Sequence, residues 1–140
     1  MNRIRATGIL INENRLLMIH RFRDGEKYYV LPGGGVEDGE TSREAVLREI
    51  KEETTIKAKL KNESIIFTDS YTINGETSEH QLFLCEYISG EPKLSKDSIE
   101  VSKTTENNTY EPLWINIEKI SELNIKPPKT KDFLISYLKR

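Results

Sequence analysis

The stretch "TSREAVLREIKEETTI", from Thr41 to Ile56, restricts what the rest of the chain can build. On a helical wheel at roughly 100° per residue, Val46, Leu47, Ile50 and Thr54 fall on one side. Glu49, Glu52 and Glu53 gather on the other, with Ala45 among them. Thr41 and Glu44 have the spacing of a capping box, which marks Thr41 as the helix start. The helix is expected to end near Thr54. Its apolar stripe has to be covered, and the flanking segments are β-rich. Arg5 to Ile11 and Arg15 to Arg21 read as two strands joined by the turn "NEN". "KYYVLP" reads as a third, and Gly33 to Gly35 with "EDGE" as a loop. "IKAKLKNESIIFTDSY" holds one or two strands, and "HQLFLCEYI" and "YEPLWINI" one each. In "HQLFLCEYI", Leu82 and Leu84 fall on one face, and Phe83 and Cys85 on the other. "GEPKLSKDSIEVSKTTENNT" reads as a polar surface loop. A last amphipathic helix places Phe133, Leu134, Tyr137 and Leu138 at core-facing spacing. The order strands, helix, strands, helix predicts an α/β (α+β) architecture, a mixed sheet with helices on it, with residues 1–140 forming one domain.

Composition narrows the class of function. A formal net charge of −2 offers no field for duplex nucleic acid or a membrane surface, but leaves room for a small anionic ligand in a local cationic pocket. Cys85 is the only cysteine, so neither an internal disulfide nor a thiolate zinc cluster can form. The first twenty residues lack a continuous apolar core and a cleavage site, and no apolar run approaches the ~20 residues that span a bilayer. The expected location is the cytoplasm.

The crowded acids need a reason. Glu49 and Glu52 are three residues apart, and Glu49 and Glu53 four, spacings that bring side chains together. Each like-charge contact costs a few tenths of a kcal/mol on an exposed helix. Negative charge in the second half of a helix is also opposed by the macrodipole. A divalent cation reverses the sign, because Mg²⁺ takes oxygen ligands: one or two carboxylates, phosphates and water. The plainer alternative is a solvated glutamate-rich face, partly offset by Arg48 and Lys51. The glycines before the helix either make a tight turn or let backbone approach a phosphate or offer a carbonyl to a metal. No Gly-Lys-Ser/Thr follows, so they are not a P-loop.

Taken together, Gly34, Glu40, Arg48-Glu49-Ile50, Glu52-Glu53 and Ile56 have the spacing of the Nudix box, and the chain resembles the Nudix hydrolases. One position departs, Thr55, where the family has a glycine that ends the helix in a left-handed conformation. The lead-in "YVLPGGGVEDGE" is also similar to the family. The resemblance implies a Nudix-type α/β/α sandwich with a mixed β-sheet between helices. It implies hydrolysis of a nucleoside diphosphate linked to another group, with Mg²⁺ or Mn²⁺.

Carried over residue by residue, Glu49, Glu52 and Glu53 are metal ligands, with Glu53 the most dependable. Glu49 is alternatively the general base or its positioner. Arg48 holds the carboxylates by charge-assisted hydrogen bonds. Glu40 supports the loop, and a carbonyl of Gly33 or Gly34 adds a ligand. In some members the base lies on a later loop, where Glu106 and Glu111 are the candidates here. Outside the box, Arg21 and Arg23 are candidates to meet phosphate, and Tyr28, Phe67 and Tyr71 to stack on a base. For each the ordinary alternative is a solvated charge or a core aromatic. The expected partner is a small nucleotide, an ordinary or oxidised nucleoside triphosphate by analogy, and family members often form homodimers. The rival reading is a non-catalytic Nudix-like module that senses nucleotides or binds protein. Such modules usually lose acids from the box, whereas this chain keeps them.

Overall fold

The computed structural model describes residues 3–73, 75–93 and 107–139, the side chains of Tyr71 and Ile73 excepted. Two antiparallel hairpins open the chain. Strand β1 (Arg3–Asn12) turns into β2 (Arg15–Arg23) through Glu13 and Asn14, both at positive φ. β2 turns into β3 (Glu26–Val30) through Asp24 and Gly25, again both at positive φ. Two successive left-handed residues match the twist of the flanking strands, as a two-residue hairpin turn requires.

After β3 the chain departs from the expected loop. Gly33–Gly35 forms a short strand, β4, antiparallel to β1, with Thr7 opposite Gly33 and Arg5 opposite Gly35. Glycine is a poor strand former, and here close approach explains its use. A Cβ on Gly33 would collide with the Ala6 carbonyl and the Thr7 backbone.

Helix α1 (Ser42–Thr54) starts as expected. The Thr41 hydroxyl accepts from the Glu44 amide at 3.1 Å, and the Glu44 carboxylate accepts from the Thr41 amide at 2.9 Å. "KAKLKNESIIFTDSYTI" is one irregular strand, β5 (Lys57–Ile73), with bulges along its pairing to β6 (Glu76–Ser89). Strand β7 (Asn108–Asn116), a 3-10 turn (Ile117–Glu122) and helix α2 (Pro128–Leu138) complete the described chain.

The sheet is mixed. β1 runs parallel to β6 and antiparallel to β2 and β4, while β2 is flanked by β3 and β7. Each face carries a core. Ala6, Leu10, Leu17, Phe83 and Cys85 pack under Val46 and Ile50 of α1. Ile9, Leu16, Met18 and Leu82 pack with Leu134 of α2. This is the α/β/α sandwich, and the alternation read in β6 holds: Leu82 and Leu84 face α2, while Phe83 and Cys85 face α1. Phe67 stacks on Phe133 at 4.5 Å as part of the α2-side core. At Gly8 a Cβ would lie 2.8 Å from Ile50, so the missing side chain lets α1 sit close on the sheet. Among the described residues no helix is long and apolar enough to cross a membrane.

Candidate active site

The helix is covered on more than its apolar stripe. Ala45 is fully buried and Glu53 is only 7% exposed, although both lie on the wheel's acidic side. β4 packs on α1 beside β1, so Glu49 and Glu53 face glycine backbone, while Glu52 on the same side stays exposed.

Arg48 is the hub. Its guanidinium donates twice to Glu40, from Nε at 2.7 Å and from Nη2 at 3.0 Å. Nη1 donates to Glu49 at 2.8 Å and to Glu52 at 3.1 Å, and Nη2 also donates to the Gly35 carbonyl at 3.1 Å. Glu37 stands 3.5 Å from Nη1. Such a fork binds carboxylates bidentately with charge assistance. Hydrogen bonding to Arg48 holds the Glu40 carboxyl below its usual range, and the Glu37 amide adds to this. The same carboxylates push the Arg48 guanidinium further up, first through Glu40 and then through Glu49. Arg48 thus contacts Glu40, Glu49 and Glu52, carboxylates that the resemblance gives it to hold. Glu37 was missed; its signal was its place in "VEDGE", three residues before Glu40.

Glu53 is oriented from the other side. The Gly33 amide donates to its Oε1 at 2.7 Å across a buried gap. Gly34 faces Glu49, and a Cβ there would lie 2.5–2.7 Å from that carboxylate. The glycine strand thus brings backbone against two helix acids that no side chain could approach so closely.

Thr55 takes the left-handed conformation expected of the glycine it replaces, with φ 62° and ψ 1°. Its amide donates to the Lys51 carbonyl at 2.9 Å, closing the helix. Its hydroxyl donates to the Glu91 carbonyl at 2.8 Å, and the Lys93 amide donates to Thr54, so the chain after β6 is tied to the helix end.

The remaining candidates divide. Arg21 is held by four contacts. It donates to Asn108 Oδ1 at 2.7 Å and to the Thr109 carbonyl at 3.2 Å, lies 3.8 Å over Tyr110, and stands 5.8 Å from the centre of Tyr28. Arg23 is exposed and, among the described residues, its ion-pair contact is with Asp24 at 4.0 Å. Glu111 is exposed on β7 between Tyr110 and Pro112, on the face shared with Leu113 and Ile115, away from α1. Glu106 and the Tyr71 side chain lie outside the described residues. Trp114 packs edge-on to Tyr87 at 5.8 Å, with Arg15 over its ring.

Glu49, Glu52, Glu53 and the glycine carbonyls supply only hard oxygen donors, which fit Mg²⁺ or Mn²⁺. Among the described residues no three acidic, histidine or cysteine side chains form a ready-made metal cage. Arg48 draws Glu49 and Glu52 to itself, while Glu53 accepts from Gly33. The donor chemistry fits the ion, and Arg48 is the cation that balances these acids in this arrangement.

Comparison with known proteins agrees with this fold. The chain is 35% identical over 109 residues to an ADP-ribose pyrophosphatase of Methanocaldococcus jannaschii, covering 75% of this chain and 63% of that protein. It therefore spans less than two thirds of the length of that relative. Among solved structures, the E. coli ORF135 protein superposes with a TM-score of 0.74 at 16% identity, over 99% of this chain and 91% of that one. A NUDIX hydrolase from Nitrosomonas europaea gives 0.74 at 19%, over 100% and 92%. At these identities both show the fold. The family model for the NUDIX domain matches residues 1–135, and the chain belongs to the Nudix hydrolase family.

Proposed function

We propose that the protein is a Mg²⁺- or Mn²⁺-dependent pyrophosphohydrolase, which splits a phosphoanhydride of a nucleoside diphosphate derivative with water. The observation that carries this reading is the box assembled around Arg48, with Glu53 fastened to the Gly33 amide on its other side.

When bound, the divalent ion supplies charge neutralisation at the phosphate oxygens and acidifies water. The other parts belong to the chain. Glu53 and Glu52 would hold the ion, with a carbonyl of Gly33 or Gly34. Glu49 takes the proton of the attacking water. An oxygen–phosphorus bond forms, the bridging phosphorus–oxygen bond breaks, and the leaving phosphate carries away the electron pair. Arg48 and Glu40 fix the positions of these acids, which spares reorganisation during the reaction. Arg21, immobilised with no carboxylate partner among the described residues, is the candidate to meet a substrate phosphate; Arg23, exposed, is not held for such a task.

The substrate reading is an ordinary or oxidised nucleoside triphosphate. A second reading, ADP-ribose, rests on the named activity of the archaeal relative. The test is phosphate and pyrophosphate release over a panel of nucleoside triphosphates, ADP-ribose, dinucleoside polyphosphates and nucleotide sugars. It is run with Mg²⁺, with Mn²⁺ and with chelator, wild type beside Glu53→Gln. Metal-dependent turnover that the variant loses is the expected result. Nucleotide binding with no turnover on any substrate would replace this reading with the non-catalytic sensing module.

A further inference from the structure

Thr55, where the box departs from the family, sits in a conformation that favours glycine. Its backbone is left-handed, with φ 62°, which strains a β-branched residue and leaves a glycine unstrained. Its hydroxyl donates to the Glu91 carbonyl at 2.8 Å. One exposed hydrogen bond of this kind returns about as much free energy as the strain takes. Stability therefore does not account for the threonine. What it adds is a restraint, because a glycine there would leave the Glu91 carbonyl without this bond to the helix end.

Both sides of that bond are anchored. The last turn of a helix leaves its carbonyls without helical partners. In α1 the Lys51 carbonyl accepts from the Thr55 amide, and the Thr54 carbonyl from the Lys93 amide, each at 2.9 Å. The buried Thr54 hydroxyl donates to the Ile50 carbonyl at 2.5 Å and accepts from the Ile56 amide at 3.2 Å. On the far side, Gly90 has φ 106°, and a Cβ on it would lie 3.1 Å from the Thr55 carbonyl. Glycine thus lets the segment after β6 lie against the helix end. The Gly90 carbonyl accepts from the Tyr87 hydroxyl at 2.8 Å, and Tyr87 packs edge-on to Trp114 against the α1-side core. Glu91 therefore follows a residue fixed to the sheet.

Glu52 and Glu53 lie in the turn that this joint closes. Helix ends fray, and fraying here would swing both carboxylates. Glu53 is held at its side chain by the Gly33 amide, and the carbonyl of the next residue is held by Lys93. Glu52 is half exposed, with Arg48 as its ion-pair partner among the described residues, so its direction depends on the backbone beneath it. We infer that Thr55 is a positioning residue: its bond to Glu91 fixes the last turn of α1 and so sets Glu52 and Glu53 for a divalent ion. This rests on the hydrolase reading and deepens it. A turn already ordered need not be ordered when the ion binds.

The test compares wild type, Thr55→Ser, Thr55→Gly, Thr55→Val and Glu53→Gln as whole chains. Mn²⁺ affinity is read from the electron paramagnetic resonance of the free ion, and amide hydrogen exchange is followed along α1 in the metal-free protein. In Thr55→Gly and Thr55→Val we expect Mn²⁺ affinity to fall by about tenfold, as loss of a group supporting metal ligands implies. The amides of residues 52–55 should exchange about tenfold faster, with Val46 and Leu47 unchanged. Thr55→Ser should keep the wild-type values. Thr55→Gly separates this from a merely structural role, because it relieves strain and still loses affinity. Unchanged Mn²⁺ affinity in the glycine and valine variants overturns the positioning role, whatever the exchange rates, as does a serine variant as weak as valine. Wild type that binds no Mn²⁺, or Glu53→Gln that binds it as tightly as wild type, overturns instead the hydrolase reading on which the role rests.

Discussion

The Gly33 amide donates to Glu53 Oε1 at 2.7 Å, and this bond fastens the glycine strand to the last turn of α1. Glu53 is 7% exposed, so both ends of the bond are shielded from water. Glu53→Gln retains an acceptor oxygen for Gly33 and loses the charge. We expect stability to stay within about 1 kcal/mol of wild type, while turnover falls by two orders of magnitude or more. Glu53→Ala also removes the acceptor and strands a buried amide, at a cost of about 1–3 kcal/mol. Denaturant melts beside rates check both; a glutamine variant with wild-type turnover would remove Glu53 from the mechanism.

Gly34→Ala introduces a Cβ 2.5–2.7 Å from the Glu49 carboxylate. The carboxylate has to move, and its bond to Arg48 moves with it. We expect a loss of about 1–3 kcal/mol in stability and a larger fall in kcat than in substrate affinity. A variant with wild-type kcat would show that the position of Glu49 is not critical.

Burial pulls the His80 imidazole down to about 4, with Arg5 adding repulsion and Asp69 opposing it. The unfolded chain then binds a proton that the folded chain does not, between the ordinary histidine range and about pH 4. The sign is fixed by this: stability is fully present above about pH 6.5 and is lost as pH falls through that window, by about 2–3 kcal/mol from this group. Urea melts of wild type and His80→Gln from pH 4 to 7 isolate the contribution as the difference between two curves. Parallel curves would mean that His80 protonates equally in both states.

Thr55 combines a left-handed backbone, which a β-branched residue adopts at a cost of about 1–2 kcal/mol, with a hydroxyl bond to Glu91. Thr55→Gly relieves the first and forfeits the second, so its net effect is expected to stay within about 1 kcal/mol. Thr55→Val keeps the strain and loses the bond, and should be the less stable of the two. The order of their thermal midpoints is the measurement, and the reverse order would assign no value to the Glu91 bond.

Local pattern carried a large part of this molecule. The capping box at Thr41 and Glu44, the turns at Glu13–Asn14 and Asp24–Gly25, the two faces of β6 and the spacing of the box acids all follow from residues near one another in the chain. Steric preference and side-chain periodicity act over a few residues, so one sequence displays them. Pairing between distant segments is different in kind. That Gly33–Gly35 is a strand depends on β1 lying beside it, and no propensity of glycine announces it. The same strand is what buries Glu53 and Ala45 on a side of the helix that the wheel assigns to acids. The parallel pairing of β1 with β6 places Arg5 between Gly35 and His80, a juxtaposition drawn from three separate parts of the chain. Sequence alone determined which residues carry the spacing of the box. The tertiary structure decided which of them meet, because contact between remote residues is set by how sheet and helices pack, not by any local period.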